Sequence, residues 1–75
     1  MNATQTNNWI GGWNDTPGNV RVLARDLRAA GVQAKTGRSI YDDHRELLVA
    51  ADDVYLAKKV LCELGCDFEA RALGA

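Results

Sequence analysis

Cys62 and Cys66 stand four positions apart, and two thiols so placed could form half of a metal site. A structural zinc site needs four ligands, and His44, the one histidine of the chain, is the only other soft candidate. The pattern therefore argues against a metal, and Cys66 reads as a buried apolar position, free cysteine being among the most buried residue types. Asp42-Asp43-His44 sets two carboxylates beside the imidazole, and a histidine oriented by a carboxylate can serve as a general base. No nucleophile has positional support, since Ser39 and Tyr41 are merely nearby, so this group reads as a solvated loop. Thr36-Gly37-Arg38-Ser39 joins a glycine to an arginine, as phosphate cradles do, but it follows neither Walker nor dinucleotide spacing and reads as a turn. The expectation is a protein that is not an enzyme and has no cofactor. A chain this small has little room for a water-excluded pocket with its supporting residues.

Composition narrows the class further. Seventy-five residues make one domain, which buries only about 60% of the surface its unfolded chain exposes. An apolar fraction of 47% and a charged fraction of 25% are those of a globular protein. A net charge of −1 removes the general attraction to phosphate on which nucleic-acid affinity rests, and the stretch 45–50 offers no aromatic on which a base could stack. Residues 1–8 are polar and uncharged, without the basic start and apolar run of a secretory signal. They read as a flexible N-terminus, residues 9–75 as a single α+β domain, and the chain as cytoplasmic. No apolar run approaches the roughly 18 residues that span a bilayer. Two cysteines so close together are no disulfide framework, and both thiols are expected to be reduced.

The elements that must position these residues are written twice. Leu23-Ala24-Arg25 leads through Leu27 to Gly31 and an alternating stretch from Val32; Leu56-Ala57-Lys58 leads through Leu61 to Gly65 and an alternating stretch from Cys66. Thr16 can cap a helix with Pro17 at its first position. Val20, Leu23, Ala24, Leu27 and Ala30 then recur at helical spacing, predicting a helix over residues 17–30. Gly31 stops it, with Val32 placed to touch Leu27 in a Schellman motif. Val32, Ala34 and Thr36 alternate with Gln33 and Lys35 as a strand, and Gly37-Arg38-Ser39 marks the turn after it. Residues 45–50 form the next strand, buried at Leu47 and Val49, with Leu48 on the second face. Asp52 or Asp53 starts the second helix with a carboxylate on its positive end, and Leu56, Ala57, Val60, Leu61 and Leu64 make its stripe. Cys66, Phe68, Ala70 and Ala72 alternate with Asp67, Glu69 and Arg71, predicting a last strand. A short first strand at Trp9-Ile10-Gly11-Gly12-Trp13, weakened by its Gly-Gly pair, completes a ferredoxin-like βαββαβ order, with two helices on one face of an antiparallel sheet and the other face open.

Leu27-Arg28-Ala29-Ala30-Gly31-Val32, then Glu46-Leu47-Leu48-Val49 running into Asp52-Asp53, and Ala57-Lys58-Lys59-Val60-Leu61 are the pieces by which residues 19–65 resemble the prokaryotic signal-transducing protein family, whose small ferredoxin-like domains are related to the PII regulators. The resemblance implies a fold. It carries no ligand or catalytic motif, and the start departs from it, because a regular apolar strand stands where this chain has residues 9–13.

The segment with both tryptophans is the candidate binding element. Tryptophan is enriched at binding hot spots, and a Gly-Gly pair lets a backbone approach another surface closely. Trp9, Ile10 and Trp13, with Arg25 and Arg28 on the helix face that would steer a partner, are the expected partner-binding residues, the alternative for the two rings being closure of the core. The chain thus reads as a small regulatory protein that modulates a larger protein partner. The same description fits a phage-encoded inhibitor of a host complex, such as an anti-CRISPR protein or an RNA polymerase inhibitor. A different class is the small-metabolite sensor of PII or ACT type. Unprotected edge strands in so small a sheet also make a homodimer an expectation.

Overall fold

The computed structural model of the chain describes residues 8–74. The expected flexible terminus therefore lies outside the described residues except for Asn8, as does Ala75. Along the described chain come β1 (Trp9–Asp15), α1 (Pro17–Ala29), β2 (Ala34–Arg38), β3 (Arg45–Ala50), one turn of 3₁₀ helix (Ala51–Asp53), α2 (Val54–Glu63) and α3 (Asp67–Ala72). The strands form an antiparallel sheet in the order β1-β3-β2. This is an α+β fold whose helices pack on one face of the sheet through a shared core.

The start of α1 follows from its first residues. The Asn19 amide donates to Thr16 Oγ1 at 3.4 Å, and the Thr16 amide donates to Asp15 Oδ1 at 2.7 Å, so capping oxygens take up amides that the first turn leaves free. Val20, Ala24 and Leu27 are buried in the core while Leu23 is half-buried. The two glycine corners have the same hydrogen bonds. The Val32 amide donates to Leu27 O at 2.9 Å and Gly31 to Arg28 O at 3.0 Å; the Cys66 amide donates to Leu61 O at 2.8 Å and Gly65 to Cys62 O at 3.0 Å. Both are Schellman motifs, with glycine at positive φ, +92° and +83°, where a Cβ would be strained.

After the second corner the two halves diverge. The expected last strand is instead α3. Alternation placed Phe68 inside, yet Phe68 is 81% exposed, whereas Ala70 and Leu73 are buried and Cys66 packs on the core. Cys66, Ala70 and Leu73 are spaced i, i+4, i+7, the period of a helix face. Asp67 and Glu69 lie in its first turn and Arg71 in its last, which suits the helix dipole. Three smaller expectations also change. Gly37 and Arg38 continue β2 rather than turning. Leu56 and Leu64 are exposed, leaving Ala57 and Leu61 as the buried stripe of α2. No side chain caps α2; the Asp53 carboxylate instead accepts the Gln33 amide at 2.9 Å.

Candidate functional site

The Gly-Gly pair of β1 decides where each tryptophan points. Ile10 pairs with Val49 and Trp13 with Leu47, so Gly11 and Gly12 together face the single residue Leu48. In a regular strand, residues three apart lie on opposite faces; the extra residue of this β-bulge brings Ile10 and Trp13 to the same face. Both pack against the core. Gly12 has a φ of +133°, and a Cβ there would run into the Ala72 carbonyl oxygen. The Gly74 amide donates to Gly11 O at 2.9 Å, so the end of α3 closes against the outer edge of β1.

Trp9 lies before the bulge and on the other face. Its ring carries the Lys35 ammonium 4.2 Å from its centroid, a cation–π contact between the two outer strands. Glu46 and Leu48 of β3 share this open face. A Cβ on Gly11 would come within 2.9 Å of Leu48 Cδ2, and one on Gly37 within 2.6 Å of Leu48 Cδ1, so the two methyls of Leu48 spread over glycines on both sides. Glu46 Oε2 accepts the Gly12 amide at 3.0 Å, tying the bulge to the central strand. The face is thus an indole and a leucine on a smooth glycine floor, flanked by one ammonium and one carboxylate.

The outer edge of β2 borders this face. The Ala50 amide donates to Gln33 O at 2.9 Å, and hydrogen-bonded pairs alternate along an antiparallel ladder. With the register Lys35↔Leu48 and Gly37↔Glu46, those residues bond inward to β3, and the backbone groups of Ala34, Thr36 and Arg38 point outward. Arg28 Nε donates to one of them, Ala34 O, at 2.8 Å. Arg45 Nη2 donates to Thr36 Oγ1 at 3.4 Å, and Arg45 lies directly opposite Arg38.

The expected partner-binding residues are therefore spread over four places. Trp9 is on the open face, Ile10 and Trp13 line the core side, and Arg28 is fastened to the β2 edge. Arg25 is exposed and makes the one ion pair among the described residues, Nη2 to Asp26 Oδ1 at 3.4 Å. Lys35, Glu46 and Leu48 were not among the expected residues. The strand alternation did place Lys35 and Leu48 on the second face, but no sequence signal links them to Trp9, because strand order and register do.

Cavities among the described residues lie elsewhere. One of about 710 Å³ is lined by Pro17, Arg38, Ser39, Tyr41, His44 and Arg45 together with Asp42 and Asp43. His44 is half-buried there, edge-on to Tyr41 at 5.6 Å, and its Nδ1 has no hydrogen-bond partner among the described residues. Another, of about 270 Å³, lies between α1 and α3 beside Trp13, Val22, Leu23 and Cys66. Both thiols are free, Cys62 exposed and Cys66 half-buried. Burial, then the carboxylates of Glu69, Asp67 and Asp26, push the Cys66 thiol pKa up. Among the described residues no three His, Cys, Asp or Glu side chains gather as a metal set, and no helix is long and apolar enough to cross a membrane. Comparison with protein-family models, with curated proteins and with solved structures found no match.

Proposed function

We propose that the chain is a small, non-enzymatic regulatory protein that binds a larger protein partner through the open face of its sheet. The observation that carries this reading is the position of Trp9, whose indole is held on that face by Lys35 and takes no part in the core cluster. A rigid aromatic beside a charged rim is the composition of a binding hot spot. On the same footing, the order β1-β3-β2 with helices on one face is read as a ferredoxin-like sheet in which α3 stands where a fourth strand would join β1. The stretch 19–65 is correspondingly read as a relative of the PII-type signal-transducing domains.

The experiment is affinity capture from the native host with tagged protein, followed by binding measurements on the purified partner. Trp9→Ala is expected to weaken the complex by about 30-fold or more, the 2 kcal/mol of a hot spot. Phe68→Ala, exposed on the opposite side, is expected to leave affinity unchanged. Equal affinities for wild type and Trp9→Ala, or no partner recovered, contradict the reading.

The cavity beside His44 favours a second reading, a small-metabolite sensor. Arg38 and Arg45 at its wall suit an anionic metabolite, and a shift in melting temperature across a panel of such metabolites, abolished by Arg45→Gln, is its signature.

A further inference from the structure

We infer that the outer edge of β2 docks an extended, acidic segment of a protein partner by adding it to the sheet as a fourth strand. This rests on the reading of the chain as a partner-binding protein and names the element that the partner presents.

The two edges of the sheet differ. β1 is closed by the Gly74 amide on Gly11 O and by the close approach of Ala72 to Gly12. Along β2, the outward amides and carbonyls of Thr36 and Arg38 take part in no hydrogen bond among the described residues. Such a row is a template for another strand, whose main-chain bonds supply affinity.

Charge selects which strand. Arg28 sits at one end of β2, held to Ala34 O, and Arg38 and Arg45 face each other at the other end. Like charges directly opposite in a ladder are destabilising, and none of these three side chains is ion-paired among the described residues. Carboxylates close by are engaged elsewhere: Asp15, cross-strand from Arg45, on the Thr16 amide and the Asn19 side chain, Glu46 on the Gly12 amide, and Asp53, past the end of β3, on the Gln33 amide. Asp42 and Asp43, exposed on the following loop, are the acids that compete for Arg38 and Arg45. Basic residues on an edge also guard against self-association. Here they do both: a second copy of this edge would bring its own Arg28, Arg38 and Arg45 up to these, while an acidic strand meets complementary charge.

The test uses the whole protein, labelled with ¹⁵N, and three synthetic heptapeptides: acetyl-Thr-Glu-Val-Glu-Val-Glu-Thr-amide, the same peptide with Lys for Glu, and the acidic peptide N-methylated on alternate amides. The acidic peptide is expected to slow hydrogen exchange at the Thr36 and Arg38 amides. The Lys peptide and the N-methylated peptide are expected to leave both amides as they were. Arg38→Glu is expected to weaken the acidic peptide about tenfold or more, while circular dichroism shows that the variant is folded. Unchanged exchange at Thr36 and Arg38 with excess acidic peptide overturns the inference, as does equal binding of the N-methylated peptide, which would reduce the edge to simple charge attraction. No partner is needed here, so this result is independent of the Trp9→Ala affinity that decides the function itself.

Discussion

Lys35 and Trp9 belong to the two outer strands, yet the Lys35 ammonium sits 4.2 Å from the centre of the Trp9 ring. The two side chains therefore bridge the central strand. Ala50, the cross-strand partner of Trp9, is wholly buried even though it belongs to the open side of β3. A cation–π contact at an exposed site is worth about 0.5–1 kcal/mol, enough to hold the indole in one orientation before a partner arrives. Pre-organised side chains bind with less loss of entropy.

Removing the ammonium tests that contact. In a Trp13→Phe background, where Trp9 is the only tryptophan and is excited selectively, Lys35→Ala is expected to increase acrylamide quenching and to lower stability by about 0.5–1 kcal/mol. Quenching that does not change would mean the ring is held by something else.

The replacement of the expected last strand by α3 makes opposite predictions for two neighbours. Leu73 is fully buried and Phe68 is 81% exposed. Leu73→Ala is expected to cost about 2–5 kcal/mol in urea unfolding, and Phe68→Ala less than about 0.5 kcal/mol. A strand with Phe68 inside would reverse the order.

Two glycines separate backbone strain from open space. Gly12→Ala must seat a Cβ at φ +133° against the Ala72 carbonyl, and loss of more than about 2 kcal/mol, with release of the C-terminal residues from β1, is expected. Gly18→Ala in α1 meets nothing within 4 Å and is expected to stabilise by about 0.4–1 kcal/mol. Thermal melts of the two variants, moving in opposite directions, check both.

The two cysteines divide by environment. Cys62 is exposed, while burial raises the Cys66 pKa, so a thiol reagent near pH 8 is expected to label Cys62 first. A raised folded-state pKa means that the unfolded thiol ionises earlier. Cys66 therefore leaves stability untouched below the ordinary thiol pKa and erodes it as pH rises through that value toward the folded one. Wild type is expected to lose more stability than Cys66→Ala in this range; parallel pH profiles would remove Cys66 as the cause.

Much of this was readable from residue order. Thr16, Pro17 and the glycines at 31 and 65 are local signals, and local backbone rules are enough to place the helix start and both Schellman corners. The segment after Cys66 is ambiguous in sequence because residues 66–72 satisfy two periods at once. Over so short a window, alternation through Phe68 and helical spacing through Ala70 to Leu73 compete, and the helix formers Glu69, Ala70, Arg71 and Ala72 favour the second. The candidate site was hidden for another reason. A bulge decides which face each tryptophan occupies, and only strand order brings Lys35 to Trp9. Neither is a property of the segment 9–13 itself.

The most direct measurement is a titration of ¹⁵N-labelled protein with the captured partner, followed by chemical shifts. The account predicts that the Trp9 indole N–H and the amides of Lys35 and Leu48 shift together, while Arg21 and Lys59 on the outer helix surfaces stay in place. Shifts concentrated on the helices, with the Trp9 indole resonance unmoved, would contradict it.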